Sequence, residues 1–357
     1  MKIVEIIPHL TSGGAERFTV DLCNELAKRH EVWLILFFPL EDKDLHFLLP
    51  EVSEKVKVAS LGKRKGMDLT LPFRLKRILK TVSPDVVHCH GRAFPYTFMA
   101  ALMRPCHCRW YYTVHNDARF DAGKWPLDRM RKFAFRQGLF NAVTISEESL
   151  RSFRNYYGID APMIINGRAL PSHLSPLTPH PSTTLVSLAR FSAVKRQDML
   201  ARIAKRLQQE GYPFTLQLIG QHQDKDILSA VQAVGCSCVE IVGEVSNPLE
   251  YLRKADAFCL CSTHEGMPIS LIEAMSMGVV PVCTPVGGIV NIVEDGVSGF
   301  LSKDISEESY YEALKRFLDT PKEKTAAMSR CAMQAALPYN MEKCAKKYEQ
   351  LWNAIMV

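Results

Sequence analysis

The sequence predicts an α/β protein of two Rossmann-like domains, each a parallel sheet covered by helices. Strand-like and helix-like runs alternate almost throughout, as they do when parallel strands are joined by helical crossovers. The alternation breaks at the proline-rich stretch "ALPSHLSPLTPHPST" and then restarts. The 357 residues also exceed what one hydrophobic core usually holds.

In chain order, "KIVEII" reads as a strand, "AERFTVDLCNELAKRH" as an amphipathic helix and "EVWLILFF" as a second strand. "DVVHCHG", "RWYYTVHN" and "NAVTIS" follow as buried strands with helical stretches after them, and "PMIING" closes this half. Residues 1–168 therefore form the first domain and 169–182 the linker, where prolines, serines and threonines show no apolar period. The second domain, 183–338, repeats the pattern with "TLVSLAR", a helix from about Arg196, "FTLQLIG", "CVEIVGE", "AFCLCS" and "VVPVCT". The tail, about 341–357, places Tyr348, Leu351, Trp352 and Ile355 on one helix face, which would pack back on the first domain.

Composition bounds the function. Apolar content of 47% and charged content of 23% are ordinary for a soluble enzyme. "MKIVEIIPHL" breaks too early for a signal peptide, and "VWLILFFPL" is too short to span a bilayer, so a cytoplasmic chain is expected. The eleven cysteines are odd in number and several sit in apolar runs, which argues against a disulfide framework. His88, His90, Cys106, His107 and Cys108 could be considered for a metal, but no paired CxxC spacing supports them. Two Asp-x-Asp triplets, Asp42-Lys43-Asp44 and Asp224-Lys225-Asp226, read as polar loop segments.

The net charge of +6 is unevenly spread. Lys63, Arg64, Lys65, Arg74, Lys76, Arg77, Lys80, Arg104, Arg109, Arg129, Arg131, Lys132 and Arg136 fall in one stretch with few acidic residues. Solvated helix faces would explain them; so would attraction to an anionic lipid surface, at about 1 kcal/mol per basic residue. Nucleic acid is disfavoured, because aromatic residues do not interleave with the charges.

In open parallel sheets, ligands bind beyond the carboxyl ends of the strands. After the first strand, "PHLTSGGAER" opens a helix with Gly13 and Gly14, whose backbone could approach an anion. "YTVHN" ends its strand on His115, either a structural residue or a ligand contact. After "TLVSLA" stand Arg190 and Lys195, a planar fork and a point charge suited to a diphosphate. After "AFCLCS", Glu265 falls in a loop, Pro268 suits the first helical turn, Glu273 lies inside the helix and Gly278 stops it. The N–H groups around Pro268 to Leu271 would face a diphosphate, and each of the two carboxylates could accept from sugar hydroxyls. "TPVGGIVNIVEDGVSGF" adds a further turn at Gly287 and Gly288.

The run from Glu265 through Glu273 into "EAMSMGVVPVCTPVGGIVNIVEDGVSGFL" resembles the hallmark segment of the family 4 (group 1) retaining glycosyltransferases. "GGAER", "DVVHCH", "YTVHN", "VTISEES", "IING" and "LARFSAVKRQD" are similar to that family in the same order, so the resemblance covers nearly the whole chain. It implies the GT-B fold: two Rossmann-like domains facing across a cleft, with the nucleotide sugar held mainly by the second and a terminal helix returning to the first. It implies that Arg190 and Lys195 bind the donor diphosphate, Glu265 the transferred sugar and Glu273 the ribose. Gly13 and Gly14, with Gly266, Met267, Pro268 and Ile269, would complete the donor site, and His115 would lie beside the donor sugar. Arg190, Lys195, His115 and Glu265 would be the catalytic set.

The implied reaction is retaining transfer from a nucleoside-diphosphate sugar, a UDP-sugar in preference to a GDP-sugar, to a carbohydrate or lipid-linked acceptor. No metal or other cofactor is expected. The family often has Gly where this chain has Arg196, and "NGVD" where it reads "NGRAL". A nucleotide-sugar 2-epimerase of the same fold and a non-catalytic nucleotide-sugar-binding protein are the alternatives.

Overall fold

The computed structural model of the chain describes residues 1–64, 66–115, 117–119, 126–169, 183–245 and 247–354. Lys65 of the basic stretch, Asn116 of "YTVHN", positions 170–182 of the expected linker and 355–357 of the expected terminal helix lie outside the described residues. The chain divides into two compact units, one of Met1–Ala169 with Asn340–Val357, the other of Leu170–Tyr339.

In the first unit, β1 (Lys2–Ile7), β2 (Glu31–Leu36), β3 (Lys57–Ser60), β4 (Val86–His90), β5 (Arg109–Val114) and β6 (Asn141–Thr144) form one sheet in the order β3-β2-β1-β4-β5-β6. All pairings are parallel. The central strands are buried on both faces, which is why β1 and β4 read as near-continuous apolar runs. Strand β3 escapes a reading by pattern, because "KVAS" is four residues long with no fully buried position. "PMIING" contributes only a single bridge, Thr144 to Met163, and is not a full strand.

Helix α1 (Gly14–Leu26) and the terminal helix Met341–Ala354 cover one face of this sheet through Phe18, Leu22, Tyr348 and Trp352. Helices α2 (Leu71–Val82), α3 (Phe94–Leu102), α4 (Leu127–Arg136) and α5 (Glu147–Tyr157) cover the other. The terminal helix packs tightly against Gly167: a Cβ there would lie 2.7 Å from Cys344 Cβ and 2.8 Å from Met341 Cα. Arg168, the departure from "NGVD", pairs with Asp21 of α1 at 2.5 Å, and its carbonyl accepts from the Met341 N–H. In this chain the position is therefore structural, tying the end of the first half to α1 and to the returning helix.

The second unit repeats the topology. Strands β7 (Thr183–Leu188), β8 (Phe214–Ile219), β9 (Val239–Gly243), β10 (Ala257–Leu260), β11 (Val280–Cys283) and β12 (Phe300–Leu301) pair in the order β12-β11-β10-β7-β8-β9. Helices α6 (Gln197–Gln209), α7 (Lys225–Val234), α8 (Pro248–Leu252), α9 (Ile269–Ser276), α10 (Glu307–Leu318) and α11 (Lys322–Ala336) surround it. In both units the strand order reverses beside the first strand, between β1 and β4 and between β7 and β10. Those switch points are where a doubly wound sheet opens a crevice at its carboxyl edge.

Candidate active site

At the second unit's switch point, β7 ends and Arg190 follows, exposed to solvent. Among the described residues its guanidinium has no hydrogen-bond or ion-pair partner. Its backbone, by contrast, is pinned. Gln197, buried at the start of α6, donates from Nε2 to the Arg190 carbonyl at 2.9 Å, and the Phe191 N–H donates to the Gln221 carbonyl at 2.9 Å. Arg196, where the family often has glycine, caps α6 with φ +56° and ψ 41°. The left-handed turn that glycine would make freely is thus kept by an arginine, whose guanidinium donates to the Ile305 carbonyl.

The loop after β10 comes from the other side of the same switch point. Lys195 forms an ion pair with Glu265, and the Ser262 hydroxyl donates to the same carboxylate oxygen at 2.6 Å. The Thr263 N–H donates to the Val194 carbonyl at 2.9 Å, so the two loops are stitched together by backbone as well. Lys195 is partly exposed while Glu265 is nearly buried. Lys195 can therefore reach an anionic partner from the solvent side, while the Ser262 hydroxyl stays on the buried Glu265 carboxylate.

Helix α9 begins at Ile269, with Pro268 as its N-cap at φ −71° and ψ 116°. Pro268 was expected inside the first turn; its ring fixes a φ that suits either position, and the extended ψ decides for the cap. Among the described residues no side chain caps this helix, and its first turn carries no acid, so its leading N–H groups face no side-chain acceptor there. Glu273 is buried within α9. Gly288 donates its N–H to the Gly266 carbonyl at 2.6 Å, and a Cβ on Gly288 would meet that oxygen at 2.5 Å. The Gly287–Gly288 turn thereby packs directly behind Gly266 and Met267.

The start of α1 differs. Gly13 is its N-cap and Gly14 its first residue, but the Glu16 carboxylate folds back over Gly13. Thr11 donates to Glu16 Oε1 at 3.3 Å, and His9 Nδ1 lies 3.4 Å from it. The positive helix end is already answered by an acid of its own first turn.

The first unit carries a polar chain through its core. Side chains alternate along a strand, so Glu5, His88 with His90, and Thr113 with His115 share the sheet face that α1 and the terminal helix cover. Glu5, His88 and His90 are fully buried. Glu5 accepts from His90 Nε2 at 2.7 Å and from His88 Nδ1 at 3.2 Å. His88 Nε2 and Thr113 Oγ1 are 2.7 Å apart, and Thr113 meets the Tyr348 hydroxyl at 3.1 Å. At the other end, His90 Nδ1 lies 3.0 Å from Nε2 of the partly buried His115. Burial opposes the charge on Glu5, but attraction and hydrogen bonds from His88 and His90 outweigh it and hold the carboxyl down at about 2. Burial, then the neighbouring His88, lowers His90 to about 4. Burial, then His90 and His88, pushes His115 well below the usual histidine range.

The residues considered for a metal part company. His88 and His90 meet Glu5 rather than cysteine, while Cys106 and Cys108 face each other with sulfurs 3.3 Å apart. Asp224 caps α7, accepting from the N–H groups of Asp226 and Ile227, and Asp42 accepts from the Leu45 N–H. Sequence reasoning missed Glu5, Thr113, Tyr348, Ser262 and Gln197. The available signal was polar residues two apart in otherwise apolar strands, "HCH" and "TVH", beside a lone Glu in "KIVEII".

Residues 12–167 match Glycosyltransferase Family 4, and residues 174–334 match Glycosyl transferases group 1. The chain belongs to the family 4, group 1 glycosyltransferases, and its two six-stranded parallel sheets are those of the GT-B fold. It is 27% identical over 323 residues to the Campylobacter jejuni GalNAc-alpha-(1->4)-GalNAc-alpha-(1->3)-diNAcBac-PP-undecaprenol alpha-1,4-N-acetyl-D-galactosaminyltransferase, covering 84% of each chain. It is 24% identical to the GDP-mannose:cellobiosyl-diphosphopolyprenol alpha-mannosyltransferase of Komagataeibacter xylinus, over 76% of this chain and 72% of that one. The fold is also that of Anabaena HepE, crystallised with UDP and glucose, with a TM-score of 0.81 and 17% identity over 99% of this chain and all of that one.

Proposed function

We propose that this chain is a retaining transferase that moves a sugar from a nucleoside-diphosphate sugar to a hydroxyl of a lipid-linked or carbohydrate acceptor. Its setting would be surface polysaccharide or glycolipid assembly, and its donor a UDP-sugar in preference to a GDP-sugar. The observation that carries the reading is the Lys195–Glu265–Ser262 cluster beside Arg190 and the uncapped start of α9.

The difficult step is departure of the diphosphate while the sugar carbon becomes cation-like. Arg190, Lys195 and the α9 N–H groups would stabilise the charge growing on the leaving group. Lys195 would exchange Glu265 for a diphosphate oxygen, which frees Glu265 to accept from a sugar hydroxyl. Glu273 would hold the ribose, Gly266, Met267, Pro268 and Ile269 the backbone side of the donor, and Gly13, Gly14 and His115 its contacts on the first unit. The acceptor would attack from the leaving-group face and pass its proton to a donor phosphate oxygen, so no protein nucleophile is required. The cationic side chains would make a metal unnecessary, and transfer should persist in excess EDTA.

The test is incubation of UDP- and GDP-sugars with lipid-linked saccharide acceptors, with products resolved by NMR. The proposal expects an α-linked product from an α-donor. An inverted product, or an epimerised donor in the absence of acceptor, overturns it.

The acceptor side carries a surface suited to an anionic bilayer. Met67, Leu69 and Phe73 are 84%, 75% and 64% exposed, next to Lys63, Arg64, Lys76, Arg77 and Lys80. Apolar tips amid cations fit a peripheral mode of binding, and among the described residues no helix is long and apolar enough to cross a membrane. Vesicle binding should rise with anionic lipid and fall with salt; binding indifferent to both removes the membrane from the proposal.

A further inference from the structure

We propose that Glu5 and His90 are positioning residues for His115, setting its tautomer so that Nε2 carries the proton and Nδ1 stays an acceptor. The inference rests on the reading of His115 as a contact to the transferred sugar. It adds what that contact can recognise: a group that donates a hydrogen bond, hence a sugar hydroxyl rather than a phosphate oxygen.

The chain of reasoning starts at the carboxylate. Glu5, ionised at neutral pH, can only accept, so His90 Nε2 at 2.7 Å and His88 Nδ1 at 3.2 Å must each present an N–H. His90 is neutral there, so with Nε2 protonated its Nδ1 holds a lone pair. That lone pair lies 3.0 Å from His115 Nε2. Two lone pairs cannot face one another at that distance, so the proton belongs to His115 Nε2, which donates to His90. His115 is neutral as well, which leaves its Nδ1 as an acceptor, and among the described residues Nδ1 has no hydrogen-bond partner.

Packing holds the array in one arrangement. Phe18 of α1 sets its ring edge-on to both His90 and His115, with centroids 6.0 and 5.7 Å away. Tyr348 of the terminal helix closes the far end on Thr113, with its ring 5.1 Å from that of His88. The returning helix thereby seals the chain of hydrogen bonds from water. A buried carboxylate in a central strand would otherwise be a large cost, and the two histidine N–H groups offset it.

The test is nitrogen NMR of the full-length protein carrying 15N-histidine, together with transfer kinetics. In the unaltered protein both His90 and His115 should show the Nε2–H signature. In Glu5→Gln the amide can donate as well as accept, so His90 loses its fixed tautomer and an Nδ1–H population of His115 should become detectable. Should Glu5→Gln fail to fold, His90→Phe serves the same purpose, since it removes the acceptor facing His115. Transfer should fall about tenfold in either variant, the worth of one hydrogen bond to a ligand. Placed in a His115→Phe background, Glu5→Gln should cost nothing further; an additive loss would mean that Glu5 acts on stability alone, and overturns the positioning role.

An Nδ1–H or mixed His115 in the unaltered protein overturns the tautomer assignment whatever the kinetics. Stoichiometric zinc on the Glu5, His88 and His90 side chains does so too. Wild-type transfer by His115→Phe instead removes the sugar contact while leaving the NMR result standing, so the two readings fail separately.

Discussion

The two units have one topology and opposite polar machinery. In the first, the polar groups at the switch point are sealed: Glu5, His88 and His90 are fully buried and spend their hydrogen bonds on one another and on Thr113 and His115. In the second they reach solvent: Arg190 is exposed, and Lys195 is partly exposed above its buried partner Glu265. A closed network resists rearrangement and can only orient what lies at its end. An open ion pair can be traded for a ligand. The same sheet edge therefore serves as a rigid rest in one unit and as an exchangeable grip in the other.

The sharpest break of this contrast is Arg190→Ala. Because the side chain is exposed, folding should be untouched, while transfer drops by a barrier of about 3–4 kcal/mol. Measured thermal stability and turnover should move independently; near-normal turnover would strip Arg190 of its role.

The first unit should fail the other way, through stability, under acid. His90 sits at about 4 in the fold against an unfolded value near 6.5, so the unfolded chain binds its proton first. Stability from this group is complete above pH 6.5 and is lost as pH falls from there toward 4, on the order of 3 kcal/mol in all. Glu5, lowered to about 2 from 4.5, removes more between those values. The groups facing His90 are Glu5, His88 and His115. Among the described residues every tryptophan, Trp33, Trp110 and Trp352, belongs to the first unit, so tryptophan fluorescence follows its unfolding. Acid titration should move that signal before a probe placed in the second unit; simultaneous loss would erase the distinction.

Glu273→Ala sharpens the open side. Donor affinity should weaken about tenfold to a hundredfold, the range for a hydrogen bond to a charged group, with turnover at saturating donor nearly unchanged. Calorimetry with nucleoside diphosphates separates the two, and a collapse of turnover at unchanged affinity would make Glu273 a participant in the chemistry.

The smallest effect belongs to Arg196→Gly. The left-handed turn at φ +56° becomes unstrained, the unfolded chain gains freedom, and the bond to the Ile305 carbonyl is lost. These oppose one another, so denaturant midpoints should shift by no more than about 1 kcal/mol with transfer intact. A larger loss would show that the guanidinium contact, not the backbone turn, holds this loop.

The pattern of residues in the chain was sufficient for the two-sheet fold, because strands buried on both faces leave long apolar runs and helical crossovers leave a different period. It was also sufficient to place Arg190, Lys195, Glu265 and Glu273 after strands, since loop chemistry and helix starts are written in neighbouring residues. It did not reveal β3, whose four residues include no fully buried position, or β12, which has only two residues. Nor could it show that Lys195 pairs with Glu265, seventy positions away, or that Glu5, His90 and His115 form one line of hydrogen bonds. Those contacts depend on strand order and register, which bring β1, β4 and β5 side by side with Glu5 opposite His88 and His90 opposite Thr113. Local sequence carries periodicity and capping. Only the assembled sheet decides which distant polar side chains share a face, and so which of them must satisfy one another in the absence of water.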